Sequence, residues 1–221
     1  MSSRSVLLAG ATGLIGRALL DGLLADEAVG TVHVLARRDL GRHAPKLVSH
    51  TVDFAALAPL PPVDEAYLAL GTTIGVAGSE AAFRAVDFDA NLAVARAAIA
   101  AGATRAGLVS AMGADAGARL FYSRVKGELE DALRGLPLDG LVIARPSLLV
   151  GDRAALGQPV RRGERVGEWV GRVLGPLVPR NYRPIPAERV AAALLAAVPS
   201  ASGPEVLMSG AMNVPPATRT R

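Results

Sequence analysis

A chain of 221 residues, 51% hydrophobic but only 4% aromatic, has the length of one α/β domain built around an aliphatic core. It has no cysteine, which excludes disulfides, thiolate catalysis and cysteine-ligated zinc or iron–sulfur centres. The net charge of +4 is carried by arginines, with Lys46 and Lys126 the only lysines, and the basic stretches lack interleaved aromatics, so no nucleic-acid partner is expected.

Val6 to Ala9 is a short apolar run that reads as a buried strand. Gly10, Gly13 and Gly16 follow, and an apolar pattern of helical period begins at Leu14. In a strand–turn–helix context each glycine has a use. Gly10 permits the sharp turn, Gly13 lets a pyrophosphate approach the backbone, and Gly16 lets the helix lie against the sheet. The unpaired amides and positive dipole end of the new helix would then face phosphate. Arg4 and the apolar run after it superficially resemble a secretory leader. The glycines and Arg17 interrupt that run, and no cleavage site follows closely. No apolar run is long enough to span a bilayer. The expectation is a soluble, cytoplasmic protein.

Val32–Ala36 reads as a second strand, with Arg37 and Arg38 just past its end. In a dinucleotide fold the adenosine ribose lies there, and a cation suits the 2′-phosphate of NADP where an acid would suit NAD. No acid occurs before Asp39, so NADP is favoured over NAD, although paired arginines also occur simply as solvated loop residues. Leu47–Val52 is a third strand, ending at Asp53. That carboxylate could serve as a helix N-cap for the short segment after it. His33, His43 and His50 fall in this stretch without metal-ligand spacing, so no metal is expected.

Asp64–Leu70 is a fourth strand running into Gly71 and Thr72. A single long helix is expected from Ser79, its N-cap, to Ala101, stopped by Gly102, with Phe83, Val86, Ala90, Val94 and Ala97 on one stripe. Thr104–Val109 is a fifth strand ending at Ser110. A helix follows over Arg119–Arg134, then a sixth strand over Leu141–Pro146. Residues 151–186 read as a small irregular cap, Ala187–Val198 as a helix, Glu205–Met208 as a last strand, and 213–221 as a frayed tail. Alternating strands and helices imply one α/β domain over 1–221: a doubly wound parallel sheet of Rossmann type with a small C-terminal cap.

Ser110, Tyr122 and Lys126 form the candidate catalytic set. Tyr and Lys at i and i+4 share one helix face. An ammonium close by favours a phenolate, so Tyr122 could exchange a proton with a carbonyl or alcohol as hydride moves. Ser110 could hold the same oxygen, and Lys126 could also hold ribose hydroxyls.

The residues that follow resemble the atypical short-chain dehydrogenase/reductases, in the group of Tat-interacting, oxidoreductase-like proteins and their bacterial relatives. They are Gly10–Gly16, Leu35–Arg38, Leu70–Gly75, Phe83–Asp89, Val109–Asp115, Tyr122–Glu128, Arg145–Arg153 and Gly167–Trp169. The resemblance implies that Gly10, Thr12, Gly13, Leu14, Ile15 and Gly16 bind phosphate. Arg37 and Arg38 would take the 2′-phosphate, with Asp53 at the adenine. Leu70, Gly71 and Thr72 would lie along the cofactor. Tyr122 and Lys126 would sit by the nicotinamide, with Pro146 and Ser147 closing over it. Asp87 departs from the Asn that extended relatives often carry in this helix, which puts a proton relay through it in doubt. The implied function is an oxidoreductase moving hydride between NADPH and a small carbonyl or alcohol. The alternative is a cofactor-gated regulator that binds a protein partner with little turnover. A sugar-nucleotide epimerase is disfavoured by the short cap.

Overall fold

The computed structural model describes residues 3–150 and 179–213. The motif residues Gly151–Arg153 and Gly167–Trp169, most of the expected cap and all of the expected tail but Asn213 lie outside them.

The elements run β1 (Arg4–Ala9), α1 (Leu14–Ala25), β2 (Val29–Ala36), β3 (Leu47–Thr51), β4 (Glu65–Leu68), α2 (Ile74–Ala77), α3 (Glu80–Arg84) and α4 (Asn91–Ala100). They continue with β5 (Arg105–Val109), α5 (Phe121–Arg134), β6 (Gly140–Arg145), β7 (Leu149–Val150), β8 (Ile185–Pro186), α6 (Ala187–Ala197) and β9 (Gly203–Met208). Seven strands form one sheet in the order β3-β2-β1-β4-β5-β6-β9, every neighbour parallel. This is the expected doubly wound, Rossmann-type sheet. The short β7 and β8 pair separately, also in parallel.

Both faces are covered, which explains why β1 reads as a continuous apolar run rather than an alternating one. Val6 and Leu8 face α1 and α6, packing with Leu19, Leu23, Val190 and Leu194. Leu7 and Ala9 face α4 and α5, packing with Val94, Ala98, Leu129 and Leu133. Each such leucine, fully buried, is worth about 1.5–3 kcal/mol. The strand order reverses between β1 and β4, so the loops at their carboxyl ends, beginning at Gly10 and Ala69, flank a crevice.

One expectation fails in an informative way. The helix expected to run unbroken over 79–101 is α3, a π-helical turn (Ala85–Ala90) and α4. Ser79 does cap it, its Oγ accepting from the Ala82 N–H at 3.1 Å, and Gly102 ends it with φ +105°. Asp87, Asn91 and Ala98 are buried, while Val86 and Ala97 of the expected stripe are only half-buried. Single π turns inside helices are frequent at functional sites.

Candidate functional site

The glycine loop is built as its spacing implies. Gly10 has φ +95°, and a Cβ there would lie inside the Ala69 carbonyl. A Cβ on Gly16 would lie inside the Gly10 carbonyl, so α1 begins against the strand end. Gly13 differs. Its φ is −80°, and an added Cβ would meet only Gly10 O, at 3.5 Å. Nothing else among the described residues comes within 4 Å of that Cβ position, so no neighbour demands a glycine there. Gly13 is also the N-cap of α1, with no side-chain cap and no acid in the first turn. The amides of Leu14 and Ile15 therefore form an open donor set.

Arg37 and Arg38 are exposed at the end of β2, and their side chains make no ion pair or hydrogen bond among the described residues. Asp53 is exposed and closes a local turn, its Oδ1 accepting from the Ala55 N–H at 2.9 Å. No helix follows before β4, so the carboxylate closes this turn rather than capping a helix, with one oxygen left over.

At the end of β4 the Thr72 N–H donates to Asp87 Oδ2 at 2.8 Å, while Asp87 Oδ1 lies 2.8 Å from Lys126 Nζ. Asn91 donates from Nδ2 to the carbonyls of Leu70 (3.1 Å) and Asp87 (3.0 Å). Its Oδ1, fully buried, has no hydrogen-bond partner among the described residues. Asn91 therefore ties the π turn to the strand-end loop. No local sequence pattern marks this role.

Helix α5 pairs with this turn in two steps. The Tyr122 ring lies 5.5 Å from Phe83, and one turn on Lys126 meets Asp87. Tyr122 is 38% exposed and Lys126 4%, so the phenol sits at the surface end and the ammonium inside. Gly127 positions the helix. A Cβ there would lie inside the backbone of Asp115–Ala116, and the Asp115 N–H donates to Ser123 O at 3.0 Å. Its signal was available, since a mid-helix glycine costs about 1 kcal/mol and needs a reason.

Ser110 is not free as expected. Its hydroxyl donates to Glu130 Oε1 at 2.5 Å in the core. A hydroxyl has one proton, so this one is not available to a substrate oxygen. Glu130, fully buried, is also held by Arg145 through two bonds (3.0 and 2.6 Å) and by Arg134 at 3.0 Å. That carboxylate raises the Arg145 pKa above its ordinary value. Pro146 is buried, its carbonyl accepting from the Met112 N–H at 2.9 Å. Ser147 bonds to the Arg183 carbonyl and, at 2.9 Å, to Ser209 Oγ. The Ser147 hydroxyl thus binds later segments of the chain.

Fold and loop together define a Rossmann-type α/β protein. The chain is 33% identical over 183 residues to the mitochondrial protein fmp52 of Emericella nidulans, covering 77% of this chain and 76% of that one. It is 33% identical over 179 residues to Protein HTATIP2 of Rattus norvegicus, covering 78% and 70%. The chain belongs to the family of FMP52 and HTATIP2 proteins. No protein-family model matches it. Among solved structures, an oxidoreductase of the short chain dehydrogenase/reductase family from Burkholderia thailandensis superposes with TM-score 0.66 at 20% identity, covering 96% of this chain and 94% of that one. MoeE5 in complex with UDP-glucose and NAD gives 0.67 at 16% identity, covering 92% and 76%. Two expectations change. The two relatives described are eukaryotic rather than bacterial. Several fungal relatives are named as mitochondrial proteins, which overturns the expectation of a cytoplasmic protein. No helix among the described residues is long and apolar enough to cross a membrane.

Proposed function

We propose that the chain binds NADP(H) along the carboxyl-terminal edge of its sheet and moves hydride between it and a small carbonyl or alcohol. One observation carries this reading: an uncapped helix start, with space above Gly13, lies on the strand next to two uncommitted arginines. The residues fit the cofactor. The amides of Leu14 and Ile15 would hold the pyrophosphate beside Gly10, Thr12 and Gly16, and Arg37 and Arg38 the 2′-phosphate. Asp53 would offer its spare oxygen to the adenine. Leu70, Gly71 and Thr72 would form the floor, and Pro146 and Ser147 the far wall. When bound, the nicotinamide supplies the hydride or accepts it. Tyr122 gives or takes the proton at the substrate oxygen, with Lys126 one turn from it on the same helix. Ser110 contributes through Glu130 rather than by touching substrate.

Parallel titrations with NADPH and NADH test the cofactor half, with NADPH expected to bind more tightly. Equal or absent affinity overturns it. A carbonyl panel tests turnover, which Tyr122→Phe should abolish; an unchanged rate in that variant removes the tyrosine mechanism.

A second reading has its own support. The Ser110 hydroxyl and the Lys126 charge are both taken up inside the protein. A site with its polar groups so committed suits a sensor, in which NADPH binding alters affinity for a protein partner. Tight NADPH binding without turnover, and partner binding that depends on it, would favour that reading. Partner affinity indifferent to NADPH would count against it.

A further inference from the structure

We propose that Asp87 is a positioning residue, clamping the floor of the crevice to the helix that carries Tyr122. This rests on the cofactor reading above. Asp87 is 1% exposed, and its two oxygens serve two different elements. One holds the Lys126 ammonium of α5, and the other holds the Thr72 amide just past β4, both at 2.8 Å. Asp87 lies in the π turn, on the buried face it shares with Phe83, Ala90 and Val94. Asn91 secures the arrangement from behind, bonding the carbonyls of both Asp87 and Leu70. Stability alone does not account for a carboxylate here, because a buried ion pair is often matched or bettered by apolar residues of the same volume. What the carboxylate does, and an apolar side chain does not, is fix an ammonium and a backbone amide relative to each other. Lys126 lies one turn from Tyr122, and Thr72 lies where the cofactor would rest. Binding on the floor is thereby transmitted to the lysine.

The chain has only two lysines, so protein labelled with ¹³C at lysine Cε gives two signals, assigned with Lys46→Arg. Addition of NADPH should move the Lys126 signal in the wild type. Asp87→Asn should weaken NADPH binding about tenfold, the loss of one charge-assisted contact, and abolish the response of that signal. Asp87→Asn with Lys126→Met removes both charges together and should bind NADPH no more weakly than Lys126→Met alone. Losses that add in the double variant, or an Asp87→Asn protein with wild-type affinity and an unchanged Lys126 response, overturn the proposal. If neither single variant folds, the wild-type signal still decides against the clamp: a Lys126 signal that stays silent while NADPH binds overturns it. A wild type with no affinity for NADPH refutes the cofactor reading instead.

Discussion

The two halves of the sheet treat their polar groups in opposite ways. Around β1, α1 and the end of β2, donors and cations are left open: the start of α1 is uncapped, and Arg37 and Arg38 are uncommitted among the described residues. Around β5, α5 and β6, polar groups are committed internally: Ser110 and Arg145 to Glu130, Lys126 to Asp87. An open donor set is what a ligand needs; a closed network is what a rigid scaffold needs. On the proposed function, the difference would put recognition in the first half, and in the second would leave the half-exposed Tyr122 hydroxyl to meet a substrate.

The glycines of the first loop divide along the same line. Gly16→Val should lose the fold outright, because its side chain would overlap the Gly10 carbonyl; soluble yield and circular dichroism report this. In the second half, Glu130→Gln should cost about 3 kcal/mol in a denaturant titration, since Arg145 loses its charge partner at a fully buried site. A cost near zero would mean that the network is not closed. Gly13→Ala is the converse case. Its new Cβ makes an ordinary contact, so the melting temperature should stay within about 2 °C while NADPH affinity falls about a hundredfold. Retained affinity would break the contrast. Arg37→Ala with Arg38→Ala should reduce the preference for NADPH over NADH about tenfold and leave stability unaltered, as paired titrations would record.

Much of this frame was legible in the amino-acid pattern. The main strands were expected within about three residues of where they lie, because buried parallel strands write themselves as short β-rich runs between glycine and proline breaks. The glycine loop, Ser79 and Gly102 were legible because each answers a local backbone demand. The π turn was not. An extra residue in a helical turn leaves no local mark, and Asp87 within it and Asn91 just after it are held by partners past the end of β4 and, for Asp87, on α5. Glu130 was equally hidden. A glutamate beside Leu129 on an amphipathic helix reads as solvated until Ser110 and Arg145, distant in the chain, are seen to close on it.

The smallest expected effect tests whether closed networks extend beyond the site. His33 on β2 and His50 on β3 face each other, Nδ1 to Nε2 at 3.0 Å, with His33 nearly buried. Burial, and then the neighbouring ring, lower the pKa of His33 below its ordinary value of 6.5. The unfolded chain therefore takes up this proton more readily than the folded one. Stability should be level above the unfolded value and decline as pH falls through it toward the folded value, where the loss is complete. Thermal melts between about pH 7.5 and pH 5 should show the decline, by about 2 °C. His33→Leu removes the titrating group, keeps an apolar side chain among valines, and should flatten the profile over that range. A slope that survives the substitution would assign the decline to carboxylates elsewhere, and the two rings would then be neighbours without consequence for the fold.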